Sequence, residues 1–173
     1  MASRNRSLRK LSLAGIGAAL VFVLTFFVKV PIPATEGYVN LGDAAILVLT
    51  YILGPFASIP AGIGAALADL IGGYGHYVIP TLVIKSVMGG TAGLVMRRDS
   101  KVPLFKKIFA GVIAELIMVG GYFAFEALPF MYGPAVALTS VPFNLIQGAA
   151  AIIVFIPLSF VRPIGSERNR LRE

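Results

Sequence analysis

Asp43, Asp69, Lys85, Glu115 and Glu126 all stand within or beside long apolar runs of this sequence. Carboxylates and an ammonium in such surroundings can pair, hold a proton or bind a polar solute. Placing one ionised at mid-membrane costs about 2.5–3.5 kcal/mol on insertion scales. Asp43 follows Leu41-Gly42 at a helix start and reads as a capping residue. Glu126, near the outer end of its helix, can reach water. Asp69 lies one turn from a helix end. Lys85 needs a counter-charge, and Asp69 and Glu115 both remain open as its partner. Thr81, Lys85 and Gly89 share one helix face at i, i+4, i+8. Glu115 shares a stripe with Met118, Tyr122 and Glu126. Asn144 and Gln147, at i, i+3, turn two amides to one side. Because an amide both donates and accepts, such a pair can read a heterocycle or a hydroxyl-rich solute. It can equally serve as hydrogen-bond glue between helices. An amide pair, a carboxylate and a lysine on three consecutive helices favour a polar pocket over glue.

Other chemistries are excluded. The sequence has no cysteine and one histidine, His76, which removes thiolate metal sites, multi-histidine metal sites and a Ser-His hydrolase. No G-x-x-x-x-G-K-[ST] loop is present, so the chain cannot itself spend ATP, and H-E-x-x-H and G-x-S-x-G are absent too. The expectation is a chain that is not an enzyme, with no cofactor and no metal.

The elements that position these residues are membrane helices. The chain has 173 residues, 57% apolar and 13% charged, against about 25% charged in soluble domains. Apolar runs cover 11–30, 41–53, 56–72, 77–96, 104–128 and 134–161, and at about 20 residues per crossing they leave no room for a second domain. One integral membrane domain, 1–173, is expected. The net charge is +7, and 13 of the 15 basic residues lie in three clusters outside the runs. These are Arg4, Arg6, Arg9 and Lys10; Arg97, Arg98, Lys101, Lys106 and Lys107; and Arg162, Arg168, Arg170 and Arg172. That is the pattern of cytoplasmic segments rather than of a nucleic-acid-binding face.

Leu41–Gly72, broken at Gly54-Pro55 and Pro60, reads as one long crossing or two short ones. Charge parity selects two, because both Arg4–Lys10 and Arg97-Arg98 must lie inside. The fold class is therefore an all-α membrane protein with six transmembrane helices and both termini cytoplasmic. The second helix is short, about 20 Å at 1.5 Å per residue. Arg97–Lys107 reads as a solvated loop. Outer connections at Val30–Asn40 (Pro31, Pro33, Gly37), Gly72–His76 and Ala127–Pro134 combine turn residues with aromatics, suiting an interfacial belt or a lid over a ligand. Ala14 and Ala18 form a small-xxx-small face for close helix packing, internal or with a partner.

Taken in order, six spans, Ala14-x-x-x-Ala18, Asn40-Leu41-Gly42-Asp43-Ala44, Gly54-Pro55, Ala68-Asp69-Leu70 through Gly72-Gly73, Ile84-Lys85 and Asn144-x-x-Gln147 resemble the substrate-binding S component of energy-coupling factor (ECF) vitamin transporters. The resemblance covers nearly the whole chain and looks closest to the riboflavin-transporter-like branch, which includes proteins assigned to pyridoxine or hydroxymethylpyrimidine. It implies a six-helix bundle in the bacterial plasma membrane that captures a vitamin from the outer face. The implied pocket is Lys85, Glu115, Tyr122, Asn144 and Gln147, with Tyr74, His76 and Tyr77 from an outer connection and Val30–Asn40 as gate. Ala14 and Ala18 would dock on a transmembrane coupling subunit driven by two cytoplasmic ATPases. In that family the S component is thought to topple, carrying its site inward. This sequence departs in having no Trp, so Phe and Tyr would supply any ring stacking. A small polar heterocycle, hydroxymethylpyrimidine or pyridoxine, fits the lysine and carboxylate better than riboflavin does. Two other readings compete, a self-sufficient proton-coupled carrier and a membrane scaffold.

Overall fold

The computed structural model describes residues 2–32, 35–97, 99 and 101–171; Pro33, Arg98 and Arg172, singled out above, lie outside them. The helices are α1 (Ala2–Phe27), α2 (Gly42–Leu53), α3 (Ser58–Gly72), α4 (Val78–Met96), α5 (Leu104–Glu126), α6 (Pro134–Leu158) and α7 (Arg162–Arg170). Among the described residues, five helical stretches are long and apolar enough to cross a membrane: Arg4–Phe27, Gly42–Gly72, Gly75–Met96, Leu104–Glu126 and Pro134–Leu158. Ile16, Ile79, Leu94, Phe105, Leu116, Ile146 and Ile153 are each more than half exposed, an apolar surface suited to lipid.

The Gly42–Gly72 stretch is not one straight helix. Gly54, at φ +62°, starts a 3-10 turn over Gly54–Ala57 with Pro55 following it. A left-handed backbone of this kind favours glycine. The chain reverses there. Asp43, at the start of α2, meets Lys85 at mid-α4, while Tyr51 and Met96 both offer carbonyls to Arg168 at the opposite end. Along α3 the depth then runs back, Ala57 beside Gly89, Gly62 beside Ser86, and Gly72 beside Tyr74. Gly93 makes this reversal possible, since a Cβ there would collide with the backbone of Gly54 and Pro55.

Each core helix buries one stripe at helical spacing. On α4 it is Thr81, Ile84, Lys85, Met88, Gly89, Ala92 and Met96. On α6 it is Ala137, Ser140, Asn144, Gln147, Ala151 and Phe155. Both stripes are apolar toward the basic end and polar toward the other, so a dry core underlies a polar chamber. Pro142 and Pro157 lie inside α6, as proline is tolerated where neighbouring helices satisfy the freed backbone groups.

Several expectations need correction. The first helix starts at Ala2 and stops at Phe27, because Lys29–Pro31 becomes strand β1, paired antiparallel with β2 (Tyr38–Asn40) and with Lys29 opposite Asn40. The fifth and sixth helices end at Glu126 and Leu158, short of 128 and 161, as Pro129 and Arg162-Pro163 follow. The basic C-terminal tail forms α7. Nor is Arg97–Lys107 wholly solvated. Leu104 begins α5, and Lys107 is buried, donating to Ser159 Oγ at 3.0 Å and lying over the Phe160 ring at 3.8 Å. Arg168 is buried as well, donating to the carbonyls of Met96 at 2.7 Å and Asp99 at 2.9 Å and to that of Tyr51. Arg9 on α1 pairs with Glu167 on α7 at 2.6 Å.

Candidate functional site

Asp43 has no exposure and is not the capping residue; its helix, Gly42–Leu53, has Leu41 at the N-cap position and no side-chain cap. It is the counter-ion of Lys85, with Nζ donating to Asp43 Oδ1 at 2.5 Å. Neither Asp69 nor Glu115 takes that place. The second oxygen of Asp43 accepts from Gln147 Nε2 at 2.5 Å, and Gln147 Oε1 accepts from the backbone N–H of Asn40 at 2.6 Å. Asn40 Oδ1 in turn accepts the Gly42 N–H at 2.8 Å. One polar node thus ties α2, α4 and α6 to the β1–β2 hairpin. Each charge in it is paired and hydrogen-bonded, as burial requires.

Above the node lies a narrow cavity of about 30 Å³. Its lining includes Lys85 and Thr81 from α4, Tyr122 and Glu126 from α5, Asn144 and Gln147 from α6, Asp69 from α3, Thr25 from α1, and Tyr77. Ile32, Gly37, Tyr38 and Asn40 of the hairpin region close it. Thr81 Oγ1 and Tyr122 OH share a hydrogen bond of 2.9 Å, and Lys85 Nζ sits 5.4 Å from the centre of the Tyr122 ring. Tyr38 OH donates to Asp69 Oδ1 at 2.6 Å. Burial first, and the Asp69 carboxylate second, push the Tyr38 phenol well above its usual range, so it stays protonated and donates. Glu126 does not reach water. It is 2% exposed and accepts from Tyr77 OH at 2.9 Å and from Ser140 Oγ. Asn144 is buried at the cavity wall, and its amide has no hydrogen-bond partner among the described residues.

Of the residues singled out from sequence, Lys85, Tyr122, Asn144, Gln147 and Tyr77 come together around this cavity. Glu115 does not line it. It is buried beneath, against Gly148, and neither carboxylate oxygen has a hydrogen-bond partner among the described residues. Tyr74 packs outside against Tyr38, ring centres 4.7 Å apart, with Lys29 Nζ 4.9 Å from the Tyr74 ring. His76 is at the rim, 3.3 Å from Tyr132 OH and 3.6 Å from Glu36. Ala14 is buried in the core, and a Cβ on Gly64 would meet the carbonyl of Ala18, so this face packs inward on α2 and α3. Gly15 and Ala19 on the other side are exposed. Sequence reasoning had Asn40 and Tyr38 as part of the Val30–Asn40 gate, gave them no bonds of their own, and took Asp43 for a cap. The insertion cost that flagged Lys85 and Glu115 applied equally to Asp43, a charge on an otherwise apolar helix.

Fold and chamber together define a polytopic membrane protein with a polar chamber at one end of a helix bundle. Residues 5–161 match the family of the ECF-type riboflavin transporter, S component, and the chain belongs to that family. It is 32% identical over 162 residues to the thiamine precursor transporter HmpT of Lactococcus lactis subsp. cremoris, covering 92% of this chain and 89% of that one. It is 35% identical over 144 residues to an uncharacterized protein of Pyrococcus woesei from the gap 3' region, covering 82% of this chain and 93% of the relative. The solved S component of a bacterial ECF transporter superposes with a TM-score of 0.65 at 24% identity, covering 88% of this chain and 94% of that one, a likeness of fold. The protein is a multi-pass component of the cell membrane and a transporter substrate-binding component. Its family implies association with an ECF module of transmembrane and ATPase subunits.

Proposed function

We propose that this chain captures a small vitamin or vitamin precursor at the outer face of the membrane, hydroxymethylpyrimidine or pyridoxine ahead of riboflavin, for ATP-driven uptake by partner subunits. The chain acts as one integral membrane domain with six crossings and both termini cytoplasmic. The clustering of Lys10, Arg97 and Arg168 around Gly54-Pro55 at the end opposite the cavity supports that orientation. The observation that carries the reading is the cavity wall at Asn144, a buried amide with its hydrogen-bonding capacity unspent, beside Tyr77 and Tyr122 as ring-stacking faces. Lys85 and Gln147 complete the floor, Glu115 backs it, and Tyr74 and His76 belong to the rim. The name of the Lactococcus relative supports a thiamine precursor as cargo. The coupling subunit docks along α1, on the side where Gly15 and Ala19 repeat the small-xxx-small spacing of the inward-facing Ala14 and Ala18.

Thermal shift of the purified protein against B vitamins and their precursors, confirmed by calorimetry, tests this. A ligand at a thousandfold excess over Kd stabilises by about 4 kcal/mol, and Asn144→Ala abolishes the shift. Absence of any shift in folded protein refutes the proposal. The partnerless Glu115 favours a second reading, a proton-coupled carrier. Uptake into vesicles containing this chain alone, driven by a proton gradient, would decide for it.

A further inference from the structure

Resting on the reading of the cavity as the substrate site, we infer that it selects a ligand rich in N–H donors or carrying a protonated nitrogen, and turns away phosphorylated or carboxylated forms, with Asp69 and Glu126 as the selecting residues. The charges around the cavity do not balance. Lys85 is the sole basic residue in its lining, and Asp43 matches it one for one at 2.5 Å. Asp69 and Glu126 both line the same space and have no cation among their hydrogen-bond partners in the described residues. Asp69 receives the Tyr38 phenol, and Glu126 receives the hydroxyls of Tyr77 and Ser140. Lys29, the nearest other ammonium, lies outside the lining, over the rings of Phe26, Tyr38 and Tyr74 at 4.9, 5.4 and 4.9 Å.

Hydroxyl donors orient a carboxylate and satisfy part of its capacity without cancelling its charge. An ionised carboxylate accepts about four hydrogen bonds, and Glu126 has one protein donor on each oxygen. Both acids therefore keep lone pairs for a ligand amine, and such charge-assisted bonds are about twice as strong as neutral ones. A phosphate or carboxylate entering the same space would meet two acids whose oxygens accept hydrogen bonds from hydroxyls, with the one ammonium of the lining already taken by Asp43. Asn144 adds a neutral donor and acceptor for a ring nitrogen or hydroxyl.

Calorimetry on the parent protein tests this with 4-amino-5-hydroxymethyl-2-methylpyrimidine, its analogue lacking the amino group, its monophosphate ester, and riboflavin. The amino alcohol is expected to bind, with the phosphate ester weaker by about 100-fold and the desamino analogue weaker by about 100-fold. Glu126→Gln should narrow the gap between alcohol and ester, and Asp69→Asn likewise. The panel on the parent protein reads selectivity without requiring either variant to fold. An ester that binds within about threefold of the alcohol, or riboflavin binding tightly while the amino group is irrelevant, overturns the inference and leaves the capture function standing. Failure of all four probes, with other vitamins binding, also overturns it. Failure of every vitamin removes the capture function and the inference with it.

Discussion

Replacing Asp43 by Asn leaves the Lys85 ammonium, 2% exposed, without its counter-charge. Removing one partner of a buried ion pair costs about 3–5 kcal/mol, because the other charge is left uncompensated. The site offers Lys85 little else, since Glu115 does not approach within hydrogen-bonding distance and Asp69 is held by Tyr38. Asp43→Asn should therefore lower the midpoint of thermal unfolding in detergent by on the order of 10 °C. Lys85→Met alone leaves Asp43 buried with only the Gln147 amide, and a loss of similar size is expected. The Asp43→Asn/Lys85→Met double variant carries neither charge and should recover most of the loss, as buried pairs are often replaceable by apolar groups. Denaturant titration of the four proteins in mixed micelles gives the coupling energy. Additive single losses, or an Asp43→Asn variant within about 1 kcal/mol of the parent, would show that the pair does not hold the charge of Lys85.

Glu115→Gln should leave stability unchanged or raise it by about 1 kcal/mol, since an acid buried without partners is a liability; a fall beyond about 2 kcal/mol in the same titration would mean that Glu115 has a stabilising role. Gly93→Ala drives a methyl into the Gly54–Pro55 backbone. It should cost about 1–3 kcal/mol as overpacking, whereas Gly90→Ala, whose Cβ would sit 3.5 Å from Ser58 Cβ, should be tolerated. Equal losses in the two would place the α4 crossing elsewhere.

What the sequence disclosed was set by local signals. Apolar runs bounded by Gly and Pro located the long helices to within a few residues, except for the start of α1, which lies nine residues before its run, and the charge clusters called for the reversal that Gly54 makes. Lys85, Asn144 and Gln147 were legible as polar groups facing the inside of the bundle, because two apolar helices cannot bury such groups without hydrogen-bonding partners. Asp43 was misread because the rule for a helix start is local, while its partner stands 42 residues away. The three-residue strands of the hairpin fall below any periodicity, and their pairing is sustained from outside by Gln147 and Asp69. Arg168 looked like one more cytoplasmic charge; only the folded chain brings three backbone carbonyls to its guanidinium.

The dependence of the hairpin on the cavity floor has its own consequence. A ladder of three residue pairs is marginal by itself, and the Asn40 N–H points to Gln147 Oε1. Truncation by Gln147→Ala strands that N–H, an unmet donor worth about 1–3 kcal/mol. Amide exchange in the segment containing Asn40 should then accelerate by about 10–100-fold. Asn144→Ala, one turn away on the same wall and without a bond to the hairpin, serves as the control and should leave that exchange unchanged. If Gln147→Ala has no effect, β2 is held by Tyr38 and Asp69 alone. If both variants accelerate exchange equally, the wall acts through packing and the amide of Gln147 has no special hold. The expected difference between two amides three residues apart isolates the hydrogen bond, because both variants enlarge the same cavity.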